Sequence, residues 1–101
     1  ERVLLVGTKK EVEHLAQCTK TMRFVERGRV LIDEEATPEC ADLEHLSHRI
    51  ASIFSTLSPT AIYLTVSPEW KPVAGHLLYS MYRFHCHLYR GRECTALATA
   101  P

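Results

Sequence analysis

Arg2-Val3-Leu4-Leu5-Val6-Gly7-Thr8-Lys9-Lys10-Glu11 decides the fold: an apolar, β-rich run breaks at Gly7 and is followed at once by helix-opening residues. A short apolar run without alternation is the pattern of a strand covered on both faces. The Thr8 hydroxyl and Glu11, three residues on, have capping-box spacing. Val12, Leu15, Cys18, Met22 and Val25 then recur every three or four residues, which predicts a helix to about Arg27. Lys20, Arg23 and Arg27 suit the negative end of its dipole, and Gly28 is placed to take a left-handed cap. The alternative is a hairpin over Met22 to Ile32 turning at Arg27-Gly28, which lacks Asn-Gly or Asp-Gly turn chemistry.

Working outward, Arg29 to Asp33 reads as a second strand, followed by an acidic loop through Glu34 and Glu35. Thr37-Pro38-Glu39 opens the second helix with a hydroxyl cap, a first-turn proline and an acid. Leu43, Leu46, Ile50, Ile53, Phe54 and Leu57 form its apolar stripe, and Ser58-Pro59 ends it. Thr60 to Val66 is a third strand, and Ser67-Pro68-Glu69-Trp70-Lys71 leads to Pro72. Val73, Leu77, Met81, Phe84 and Leu88 predict a third helix from there to about Tyr89, closed by Gly91, before a weak fourth strand over Cys94 to Ala98. Strands separated by helices of this length favour parallel pairing through right-handed crossovers. The expected fold is α/β: a Rossmann-like three-layer sandwich with a small, mainly parallel sheet in β-α-β-α-β-α-β order, residues 1–101 forming one domain.

Composition narrows the function. Lys plus Arg equals Asp plus Glu at 12 each, so no global field exists to hold duplex DNA. No apolar run is long enough to span a membrane. The start at Glu1, without a Met, fits a processed chain or a domain cut from a longer protein. Cys18, Cys40, Cys86 and Cys94 form no CxxC pair and read as reduced thiols of a cytoplasmic protein. Neither GxGxxG nor GxxxxGK[ST] occurs, which removes the usual support for dinucleotide oxidoreductases and P-loop enzymes and leaves no cofactor expected. His85, Cys86, His87 and Cys94 are close in sequence, but neighbouring helical positions point apart and complete no metal-ligand spacing. His45 and His48, three apart on the polar side of the second helix, read as solvated, and no catalytic residue is assigned.

In a parallel sheet the loops after successive strands gather at one edge, here Gly7 to Lys10, Asp33 to Thr37 and Ser67 to Lys71. Helix N-termini there favour anions. Lys9, Lys10 and Lys71 add charge, Thr8 and Ser67 add hydroxyls, and Trp70 offers a face for a base. Thr8, Lys9, Ser67, Trp70 and Lys71 are thus the candidate ligand-binding residues, suited to a nucleoside phosphate ester. The competing reading has Thr8 only capping, the lysines solvated and Trp70 plugging the sheet edge.

Thr65-Val66-Ser67-Pro68-Glu69-Trp70-Lys71-Pro72-Val73 resembles the strand-loop-helix signature of CARF domains, the cyclic-oligoadenylate sensors associated with type III CRISPR systems. The resemblance holds at Val66, Ser67, Lys71, Pro72 and Val73 and departs at Pro68 and Glu69, where the family favours glycines. It implies a homodimer that binds a cyclic oligonucleotide across its two-fold axis, with Thr8, Ser67 and Lys71 near phosphates; some members also cleave the ligand. Three functions compete: a nucleotide-sensing domain of an antiviral defence protein; a dimerisation or interaction module using an apolar third helix with Tyr79, Tyr82 and Tyr89; and a small ring nuclease or nucleotide hydrolase.

Overall fold

The computed structural model describes residues 1–32, 42–90 and the strand at 95–99. Five strands form one sheet: β1 (Arg2–Thr8), β2 (Val25–Ile32), β3 (Ala61–Thr65), β4 (Cys86–Arg90) and β5 (Thr95–Thr99), in the order β2-β1-β3-β4-β5. The first four are parallel and β5 is antiparallel to β4. Helices α1 (Lys9–Ala16), α2 (Thr19–Met22), α3 (Leu43–Leu57) and α4 (Lys71–Ser80) connect them.

The apolar runs of β1 and β3 supply both faces of the sheet, as continuous hydrophobic strands must when helices lie above and below. Val3, Leu5, Ala61 and Tyr63 form one buried cluster with Val12 and Leu15 of α1. Leu4, Val6, Ile62 and Leu64 form the other, with Leu46 and Ile50 of α3 and Val73, Ala74 and Leu77 of α4. The expected three-layer sandwich is therefore present, with α1 on one face and α3 and α4 on the other.

Three expected boundaries are corrected. The first helix stops at Ala16 instead of running to about Arg27, and after the short α2 the chain turns at Arg23, which takes the left-handed conformation assigned to Gly28 (φ 56°). The stripe of Val12, Leu15 and Cys18 is buried, whereas Val25 is 60% exposed: the spacing persists past the point where the helix ends. Backbone pairing decides the matter, because Val25 N–H donates to the Glu1 carbonyl at 2.7 Å and the strand aligns with β1 from Arg2 onward. Arg27-Gly28 consequently lies inside one parallel strand and makes no hairpin. A Cβ at Gly28 would stand 2.6 Å from Leu57 Cδ1, so the glycine makes room for α3.

The second correction concerns the start of α3. The Thr37-Pro38-Glu39 signal lies outside the described residues; the helix begins at Leu43, and Asp42 caps it by accepting the His45 N–H at 3.0 Å. Its end is as expected, with Ser58 in the left-handed conformation (φ 49°).

The third correction removes the long third helix. It ends at Ser80, a 3₁₀ turn covers Tyr82–Phe84, His85 adopts φ 54°, and Cys86–Arg90 becomes β4. The apolar periodicity at Phe84 and Leu88 thus belongs to two elements. Tyr89, expected beside Tyr79 and Tyr82, stands instead on the α1 side of the sheet, its ring 4.7 Å from that of Tyr63. Tyr63 also packs edge-on against Phe24 and donates its hydroxyl to Glu1 Oε2 at 2.8 Å; burial, with that bond second, raises its pKa. The fourth strand expected near the C-terminus is β5.

Cysteine chemistry is corrected as well. Cys18 is disulfide-bonded, whereas Cys86 is a free thiol whose pKa burial pushes up to about 12. Among the described residues no helix is long and apolar enough to cross a membrane.

Candidate functional site

The sheet order creates a topological switch point. The chain leaves β1 toward α1 on one face and leaves β3 toward α4 on the other, although β1 and β3 are neighbours. Connections that part in this way open a crevice outside the carboxyl ends of the two strands, the usual ligand position in open α/β sheets. Gly7, Thr8 and Ser67 occupy that place.

The two strand ends approach closely there. Gly7 pairs with Thr65, and a Cβ on Gly7 would lie 1.6 Å from the Thr65 carbonyl oxygen. One residue further, the buried Thr8 accepts the Ser67 N–H on its Oγ1 at 3.0 Å. This bond corrects the capping box: Thr8 is the N-cap of α1 by position, but its side chain caps nothing. Its hydroxyl oxygen joins the ends of β1 and β3, leaving the first amides of α1 without a side-chain cap from Thr8.

Ser67 in turn precedes a 3₁₀ turn, Pro68–Trp70, and its carbonyl accepts the Trp70 N–H at 2.9 Å. The Ser67 Oγ is buried and has no hydrogen-bond partner among the described residues. A buried hydroxyl without a partner costs free energy. Lys9 and Lys71, the first residues of α1 and α4, are exposed. Both project from helix starts where backbone N–H groups and the dipole favour negative charge.

Trp70 is placed differently. Its ring is only 3% exposed and belongs to the cluster that includes Val73, Leu77 and Ile62, so it packs into the core instead of lying open at the edge. Glu69, beside it, is exposed. Of the loops expected to meet, the one after the second strand lies outside the described residues.

The histidine readings resolve into another region. His45 and His48 lie on α3, exposed, along a cavity of about 290 Å³ that also touches Asp42 and Glu44. Among the described residues no three His, Cys, Asp or Glu side chains converge as metal ligands do. His76 and Arg83 border an adjoining groove and carry no sequence motif; only the pairing of α3 with α4 brings them there.

No protein-family model, curated protein or solved structure matches the chain significantly. The fold is thus shown as Rossmann-like in the general sense, by strand order and layering alone.

Proposed function

We propose that this domain binds the phosphate groups of a nucleotide at the carboxyl ends of β1 and β3 and acts as a nucleotide-sensing module. The observation that carries the reading is the switch point itself. It brings the start of α1 and the loop after β3 together through the Thr8–Ser67 hydrogen bond, with Lys9 and Lys71 exposed at the first positions of α1 and α4. A compact ammonium at each helix start suits a phosphate ester. With Trp70 in the core, base recognition falls to other groups, and the site is described best as a phosphate cradle.

The finer reading, a homodimeric sensor of a cyclic oligonucleotide, rests on the resemblance at Val66, Ser67, Lys71, Pro72 and Val73. A cytoplasmic setting belongs to it, and the disulfide at Cys18 is the observation against that setting, because the cytosol keeps thiols reduced. A second reading, the interaction module, draws on Tyr79 and Tyr82, which are 82% and 55% exposed.

The experiment is a thermal-shift screen with mononucleotides and with linear and cyclic oligoadenylates, since a ligand that prefers the folded state raises Tm. Lys71→Ala is expected to keep the fold and weaken the affinity for a responding nucleotide by about tenfold, the effect of losing on the order of 1.4 kcal/mol. The loss shrinks as salt rises, because an exposed ammonium is screened. An unchanged affinity would remove Lys71 from the site, and a flat screen would favour the interaction module.

A further inference from the structure

We propose that a second copy of this chain seats on the groove between α3 and α4, running antiparallel to the first, with Glu44 of each copy facing Arg83 of the other. The inference rests on the homodimer reading and names the face that reading leaves open.

Helices α3 and α4 lie side by side on one face of the sheet and run in the same direction, since each returns from the carboxyl end of a parallel strand. The Phe54 and Phe84 rings, 4.8 Å apart, fix their alignment by placing the segment after α4 beside the later turns of α3. Between them lies an open groove of about 470 Å³, bordered by Glu44, His48, Ala51, His76, Met81 and Arg83. A second cavity at the start of α3 shares Glu44 and His48 with it and adds Asp42 and His45.

Charge is distributed unevenly along this groove. Asp42 and Glu44 stand at its head and Arg83 at its foot. Ten residues of helix separate Glu44 from the level of Phe54 and hence of Phe84, about 15 Å at 1.5 Å per residue, so the two ends do not pair within one chain. Among the described residues neither Glu44 nor Arg83 takes part in a salt bridge. The Arg83 guanidinium instead lies over its neighbour Phe84, 5.2 Å from the ring centre, which holds it in place.

A two-fold axis crossing the groove midway reverses the second copy. Each carboxylate end then meets a guanidinium end, and a self-complementary patch of this kind is what an isologous dimer requires. Tyr79, near the end of α4, and Tyr82, which adjoins Arg83 in the 3₁₀ turn, are both exposed. Exposed tyrosines beside an arginine have the composition of binding hot spots, and the groove is open, which suits a protein surface.

The test uses charge reversal and mixing. In sedimentation velocity at roughly tens of micromolar, where weak specific contacts are populated, the natural chain is expected to be a dimer. Glu44→Arg alone and Arg83→Glu alone are each expected to be monomeric with unchanged circular dichroism. An equimolar mixture should recover a dimer, because each variant carries the charge its counterpart lacks. Dimers that persist in both variants would overturn this face while leaving the homodimer reading intact. A monomeric natural chain would overturn both, and a mixture of folded variants that stays monomeric would overturn the charge pairing. If either reversal unfolds the chain, Glu44→Gln and Arg83→Gln replace them, each expected to weaken dimerisation at least tenfold; unchanged dimerisation in these would overturn the proposal.

Discussion

Gly7→Ala is expected to destabilise the domain by at least about 3 kcal/mol, a fall in Tm of roughly 12–24 °C for a chain of this size. The added Cβ would sit 1.6 Å from the Thr65 carbonyl oxygen, less than half an ordinary carbon–oxygen contact, and the atom it meets is backbone. No side-chain rotation relieves such an overlap. Either β1 and β3 part at their carboxyl ends, losing ladder hydrogen bonds and the Thr8–Ser67 bond beyond them, or the strand is displaced against two packed layers. Gly75 is the control. It is exposed on α4, a Cβ there meets nothing within 4 Å, and alanine is expected to stabilise the helix by up to about 1 kcal/mol. Thermal denaturation of the two variants measures the contrast, and a Gly7→Ala chain that melts with the natural one would refute the close approach.

The same residue shows how far the sequence could be read. Arg2 to Val6 announced a buried strand because nothing interrupts its apolar run, and the break at Gly7 marked its end. The reason for glycine there depends on β3 being the neighbour, a relation between segments more than fifty residues apart. Local periodicity failed where two elements share one spacing. Val12 and Leu15 face the core side of α1, Cys18 is buried just past its end, and Val25 continues their interval by coincidence, because a strand that starts at an arbitrary phase also satisfies a three-or-four rule. Met81, Phe84 and Leu88 misled in the same way across the α4–β4 junction. The left-handed turns that separate these elements fall on Arg23 and His85, residues without the glycine signature that would have revealed them. At the candidate site, Thr8, Lys9, Ser67 and Lys71 were legible because strand-to-helix junctions are local features. The switch point between them required the strand order, which one sequence does not encode locally. Trp70 was misjudged for a related reason: its place in the loop suggested an exposed edge, but a 3₁₀ turn swings its ring under α4.

Trp70→Ala therefore separates a core residue from a ligand contact, and it is expected to cost about 3–5 kcal/mol, the usual range for truncating a buried aromatic side chain. The ring belongs to the same buried cluster as Val73, Ala74 and Leu77 of α4 and Ile62 and Leu64 of β3. Removing it leaves a void at the junction of helix and sheet that rigid neighbours close only in part. Because the chain contains one tryptophan, its emission reports this position alone: the natural protein should fluoresce at short wavelength, and unfolding in urea should move the emission to the red. Circular dichroism follows the alanine variant, which has no such signal, and Trp70→Phe should recover part of the loss by refilling most of the volume. Nucleotide affinity supplies the decisive comparison. A core Trp70 predicts that Trp70→Phe, measured well below its midpoint, binds a responding nucleotide as the natural chain does. Retained stability together with lost affinity would instead return Trp70 to the ligand, with its ring as a stacking surface at the strand ends.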